Sequence, residues 1–212
     1  PTGNFGDIFA GYAALKMGLP IDKLCIATNH NDILTRFFDN GVYKVNNVIP
    51  SSSPSMDIQV SSNFERLLFD LSGRDSSKIV DMMEKLKRDK KFAVESSLLK
   101  KVKENFVAGR VSESLTLDTI NEEWLVNNHL IDPHTAVGVA AGRRNLAFLK
   151  SQLIYVSTAH PAKFPETVIK ATNNSPSMPS RLKKLIDGKE VFTTLKASTN
   201  SVEKYIYDNI LL

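Results

Sequence analysis

The chain has 212 residues, 42% of them hydrophobic and 24% charged, with a formal net charge of +4. This is enough apolar material to build a core without cross-links, and the single cysteine, Cys25, excludes an internal disulfide and any zinc cluster built on cysteines. No apolar run reaches the roughly 20 residues that span a bilayer as a helix, and the basic stretch Lys85–Lys91 is broken by Asp89 and carries no interleaved aromatics, which marks a solvated helix face rather than a nucleic-acid surface.

The length fits one large domain or about one and a half typical ones. The sequence begins with Pro1 rather than Met, and the expectation is a piece of a longer protein. Pro1 to Asp7 is a turn-rich loop, and Asp7 serves as N-cap or first-turn acid of a helix to about Met17, which Gly18 and Pro20 end. Lys23 to Thr28 is apolar without alternation, which predicts a strand buried on both faces. Asn29, His30, Asn31 and Asp32 cap a helix running to about Phe38. Residues 39–56 read as loop, with Ser51 to Ser55 as the clearest break. Asp57 to Leu71 is expected to be one helix, from the spacing of Ile58, Phe64, Leu67, Leu68 and Leu71.

Further helices are expected at about 76–88, 95–107, 113–127 and 134–149. The charged section 75–128 reads as a helical insertion rather than as sheet core. Leu153, Ile154, Tyr155 and Val156 form a second buried strand, 165–173 a helix, Asn173 to Pro179 a break, Glu190 to Leu195 a last strand and Ser201 to Leu211 a closing helix. This rhythm predicts an α/β fold, a three-layer, mostly parallel sheet flanked by helices.

Phosphate binding needs convergent N–H donors and a favourable dipole, and a glycine loop opening a helix offers both. Gly3, Asn4, Phe5 and Gly6 ahead of the Asp7 helix suit that task. Asn4 tolerates unusual backbone angles, and Phe5 is placed to pack beside a planar ring. Such a turn also occurs simply as a turn, and it has neither dinucleotide spacing nor the lysine of a P-loop. Asp132 and Pro133 make a good N-cap and N1 pair, so the segment to Thr135 reads as architectural, with His134 a lesser site candidate. Cys25 lies in an apolar run as an inert thiol, and with His30 it is too small a set for a metal.

Taken together, several long stretches resemble the threonine synthase family. They are Pro1–Ile8 with Ala10, Gly11 and Tyr12; Ala27–Leu34; Ser53–Ile58 running on to Ser61–Leu67; Asp132–Gly138; and Ser157–Phe164. The resemblance covers the chain in outline and is to the longer bacterial and fungal type. It implies a fold type II, pyridoxal 5'-phosphate-dependent lyase that makes L-threonine and phosphate from O-phosphohomoserine and water, in the cytoplasm. It also implies that the cofactor phosphate is held by Gly3, Asn4, Phe5, Gly6 and Asp7, and that Thr158 bonds the pyridine nitrogen. A neutral hydroxyl there does not enforce a protonated ring. The family's Schiff-base lysine is expected in an N-terminal domain outside this chain, because no lysine here sits in a matching context.

Six residues are candidates for the substrate. Asn63 and Arg66, three apart on the expected 57–71 helix, share a face, and Arg66 can bind phosphate or carboxylate or else pair with a surface acid. Ser55 and Asp57, with Ser53, line the site or cap a helix. His160, ahead of Pro161, and Lys163 are anion- or proton-handling groups or plain turn residues. Two other functions stay open. One is a non-catalytic threonine-synthase-like module that binds phosphate ligands or a partner, and the other is a different fold type II enzyme such as a threonine dehydratase or cysteine synthase.

Overall fold

The computed structural model describes residues 1–147, 152–186 and 188–210. They divide into two units, Pro1–Pro176 and Ser177–Leu212.

The first unit opens with the glycine loop and α1 (Gly6–Lys16), followed by β1 (Leu24–Thr28), α2 (Ile33–Asn40) and the short β2 (Val42–Lys44). Next come α3 (Phe64–Leu71), α4 (Ser76–Asp89), β3 (Lys91–Ala93), α5 (Ser96–Asn105), β4 (Phe106–Arg110), α6 (Glu113–Asn127), α7 (Pro133–Asn145) and α8 (Pro165–Thr172). β1 and β4 run parallel, with Leu24 opposite Phe106 and Thr28 opposite Arg110. β2 and β3 are antiparallel, with Tyr43 opposite Phe92. Helices α1, α2 and α7 all pack on β1, so the strand is buried between helices as its unbroken apolar run requires.

The largest core cluster lies where α1, α2 and α3 meet the strands. Phe5, Phe37, Phe64, Phe106 and Tyr43 are buried together there. Their rings meet mostly edge-on or tilted, as in the Phe37–Phe64 pair at 4.8 Å and 76°, an arrangement that suits the aromatic quadrupole. Burial pushes the Tyr43 hydroxyl up to about 12, and its oxygen accepts the Ser61 N–H at 2.7 Å.

The fold class is α/β as expected, but several expected elements differ. The section 75–128 contains β3 and β4, and β4 is the parallel partner of β1, so this section does contribute to the sheet core. Residues 57–63 are not helical, and α3 starts at Phe64. The Asp57 carboxylate accepts bonds from Asn29, Asn31 and Ser51, which fixes a bend instead of a first turn. The loop 39–56 contains β2 and a 3-10 turn, Pro54–Met56. The expected strand at 153–156 has no ladder partner among the described residues, and it alternates, with Ile154 84% and Val156 53% exposed while Leu153 and Tyr155 are half-buried. The end of the expected 134–149 helix and residue 211 lie outside the described residues.

The second unit holds α9 (Ser180–Ile186) and α10 (Thr199–Ile210). The expected strand 190–195 is irregular. Val191 is 92% exposed and Phe192 78%, so no packed face rewards a strand there.

Candidate functional site

The site is built on the loop Pro1–Phe5, which leads into α1 and lies beside the carboxyl end of β1. Thr2 donates its backbone N–H to the Ala27 carbonyl at 3.0 Å, which ties the loop to the carboxyl end of a parallel strand, where α/β sheets hold ligands. Phe5 adopts the left-handed conformation, φ 68°. A bulky residue there costs about 1–2 kcal/mol and persists only when its surroundings fix it. Those surroundings are visible: its N–H donates to Thr2 Oγ1 at 3.0 Å, and its ring is fully buried against Phe64 and Phe106.

The loop carbonyls are bound from behind. Ser61 Oγ donates to the Gly3 oxygen at 2.8 Å, and Asn63 donates to the Asn4 oxygen from its backbone at 3.0 Å and from Nδ2 at 3.1 Å. Asn4 Oδ1 accepts the Gly6 N–H at 2.8 Å. The N–H groups of Asp7 and Ile8, in the first turn of α1, have no acceptor among the described residues, as expected at a helix start. Gly3 is tightly packed: a Cβ there would lie 3.1 Å from Ile58 Cδ1, Met56 Cα and the Ser55 oxygen, closer than ordinary van der Waals contact.

A cavity of about 200 Å³ opens over this loop. Pro1, Thr2, Gly3, Asn4 and Asp7 line one side, Ser55 and Met56 another, and His134, Thr158, Ala159 and Lys163 complete it. The Thr158 hydroxyl has no hydrogen-bond partner among the described residues. Lys163, in the 3-10 turn Pro161–Lys163, holds its ammonium 5.5 Å from the Phe164 ring centroid.

His134 sits at the start of α7 and is 4% exposed. Its Nε2 accepts the Ser55 N–H at 3.2 Å and its Nδ1 lies 2.9 Å from Asp132 Oδ1. Asp132 is fully buried and caps α7, accepting the backbone N–H groups of His134 and Thr135 and the Thr135 hydroxyl. Burial would raise its pKa, but the hydrogen bonds from His134 and Thr135 outweigh it and hold the carboxyl below the ordinary carboxylate value.

Of the residues expected from sequence, Gly3, Asn4, Asp7, Ser55, Thr158 and Lys163 meet at this cavity. Phe5 does not offer its ring to a ligand, because it is core. Gly6 opens α1 with its N–H committed to Asn4. Asn63 acts behind the loop as the α3 N-cap residue rather than facing the cavity. Arg66 points elsewhere, with its guanidinium 6.0 Å from the Phe9 ring centroid. Asp57 lies in the polar network under the 51–57 segment, and His160 accepts the Ala162 N–H, capping its own turn. Thr158 follows an irregular segment instead of the expected strand. His134, read as chiefly architectural, lines the cavity. Its sequence signals are its place two residues after the capping Asp132 and its position in the stretch Asp132–Gly138.

The polar network beside the cavity is extensive. Asn29 Nδ2 donates to Ser51, Ser53 and Asp57, and Asn31 Nδ2 donates to Asp57 and the Ile49 carbonyl. Cys25 is apart from this chemistry, and burial raises its thiol to about 11. Among the described residues no group of three or more His, Cys, Asp or Glu is arranged to hold a metal ion.

Residues 135–206 match the family model described as Threonine synthase, C-terminal. Over 97% of its length the chain is 44% identical to the threonine synthase of Pseudomonas aeruginosa, covering 44% of that protein. It is 42% identical to the threonine synthase of Saccharomyces cerevisiae over 96% of its length, covering 43% of that protein. Its fold matches the crystal structure of pyridoxal-phosphate-bound threonine synthase from Brucella melitensis with a TM-score of 0.90 and 45% identity, over 98% of this chain and 45% of that one. Threonine synthase from yeast matches with a TM-score of 0.86 and 41% identity, over 100% of this chain and 46% of that one. The chain therefore spans under half the length of these relatives.

Proposed function

We propose that the chain is part of a threonine synthase, the part that holds pyridoxal 5'-phosphate by its phosphate and its ring nitrogen. The observation that carries the reading is the cavity itself. It joins Asp7, whose first-turn N–H has no acceptor among the described residues, the tightly packed Gly3, the Thr158 hydroxyl and the Lys163 ammonium. These residues fit a phosphorylated ring. The loop Gly3–Asp7 supplies backbone donors and the positive end of α1 to a phosphate. Thr158 supplies a hydroxyl to a ring nitrogen, and Lys163 supplies a cation at the rim. Phe5 and Gly6 serve by shaping the loop.

Bound there, pyridoxal phosphate supplies an electron sink for carbanions formed beside the substrate amino group. The reaction assigned to the whole protein converts O-phosphohomoserine and water to L-threonine and phosphate. In this account the chain's own work is to bind and orient. The loop fixes the phosphate end, and Thr158 holds the ring nitrogen without forcing it to stay protonated. Ser55 and Lys163 line the same cavity and are assigned to the substrate. The covalent lysine and the proton transfers it makes are assigned to the portion of the relatives' length that this chain does not span.

In the domain assignment we propose, residues 1–212 belong to the large cofactor-binding domain. The reaction is assigned to the cytoplasm. Among the described residues no helix is long and apolar enough to cross a membrane.

The test is turnover by the complete protein. With pyridoxal phosphate and O-phosphohomoserine it is expected to release threonine and phosphate in equal amounts, and Thr158→Val is expected to lower that rate. Cofactor binding without threonine formation would contradict the assignment.

A further inference from the structure

The one imidazole of the cavity is fixed in a single protonation pattern by its neighbours. Ser55 offers His134 Nε2 a backbone N–H, which can only donate, at 3.2 Å. Nε2 must therefore carry a lone pair. In a neutral imidazole the proton then sits on Nδ1, and the atom facing Nδ1 at 2.9 Å is an Asp132 carboxylate oxygen, which only accepts. The two bonds demand the same tautomer. Asp132 is itself held by the backbone and hydroxyl donors of the α7 cap. The ring is further confined by Phe164, whose centroid lies 4.7 Å away.

The group that His134 holds bears directly on the glycine loop. The Ser55 oxygen and Met56 Cα both lie 3.1 Å from the position of a Cβ on Gly3, so the turn rests on the loop without slack. On its far side the same segment is held by Asn29, which donates to Ser53 Oγ at 2.9 Å. The turn is thus gripped between the polar network and one histidine.

We infer that His134, oriented by Asp132, is a positioning residue for the phosphate pocket: its Nε2 clamps the Ser55 amide and seats the Pro54–Met56 turn against Gly3. The inference rests on the proposed cofactor reading of the cavity. His134 makes no contact with reacting atoms in this role. It acts through Ser55, by keeping the cavity wall at the distance the phosphate requires.

The test uses the complete protein and pyridoxine 5'-phosphate, whose alcohol in place of the aldehyde prevents capture by lysines. Gln at position 134 keeps an acceptor at the ε position for Ser55, whereas Asn keeps a donor for Asp132 and has no atom at that position. His134→Gln is expected to retain affinity, while His134→Asn weakens it about tenfold, the cost of leaving one amide unpaired. Nitrogen NMR of His134 in the unaltered protein is expected to show a protonated Nδ1 and an unprotonated Nε2. Equal affinity of the two variants, or a proton on Nε2, would overturn the clamp. Failure of the unaltered protein to bind pyridoxine 5'-phosphate would overturn the cofactor reading instead, while the tautomer measurement still decides the clamp.

Discussion

Asn63 donates twice to one oxygen, the carbonyl of Asn4, from its backbone at 3.0 Å and its side chain at 3.1 Å. The N-cap of α3 thereby ties down the carbonyl of the glycine loop. Asn63→Ala removes one of the two bonds and is expected to cost about 0.5–1.5 kcal/mol of stability. Affinity for pyridoxine 5'-phosphate is expected to fall by several-fold. Calorimetric titration checks this, and unchanged affinity would mean that the loop needs no support from α3.

Phe5 is held in the left-handed region by the pocket its ring fills. Phe5→Ala keeps the strained backbone and loses the packing against Phe64 and Phe106, so destabilisation of about 3–5 kcal/mol is expected. Urea unfolding measures it. A loss below about 1 kcal/mol would show that the ring does not hold the loop.

Asp57 accepts from Asn29 Nδ2 at 2.8 Å, Asn31 Nδ2 at 2.9 Å and Ser51 Oγ at 2.6 Å. Asp57→Ala strands these donors, at about 1–3 kcal/mol for each that stays buried and unpaired. The expected result is a protein at least about 2 kcal/mol less stable, whose 51–57 segment exchanges amide hydrogens faster. Unaltered exchange there would contradict the network's role.

Acid should unfasten α7. The folded Asp132 carboxyl sits below its ordinary pKa because the bonds from His134 and Thr135 outweigh burial. A depressed carboxyl contributes stability above its unfolded pKa of about 3.9, and the contribution is lost as pH falls through the folded value. Acid unfolding of the native protein is therefore expected to steepen below about pH 4. Asp132→Asn keeps a good N-cap without the charge, so its stability is expected to be lower at neutral pH and flatter in acid. Parallel curves for the two proteins would refute this.

Much of the helical frame was legible in the sequence: α4, α6 and α7 open on capping side chains, Asp75, Ser112 and Asp132, and α2 and α4 carry one-sided apolar faces. The strands were less so. β2 and β3 have three residues each and exist because they pair with one another, while β4 lies in a charged stretch whose helices dominate the pattern. The 57–71 spacing suggested one helix, but the bonds to Asp57 bend its first half away. In the site, the glycine loop and Thr158 were visible as motifs. His134 was only a lesser candidate, because its role depends on Ser55, 79 residues away in sequence. Arg66 and His160 had the right chemistry, and the fold directs them to Phe9 and to a local cap.

The most direct measurement is a crystal structure of the complete protein with pyridoxine 5'-phosphate. The account predicts the phosphate seated on the Gly3–Asp7 loop at the start of α1, with the ring nitrogen within hydrogen-bond distance of Thr158 Oγ1. A phosphate bound elsewhere, or a ring nitrogen turned away from Thr158, would contradict it.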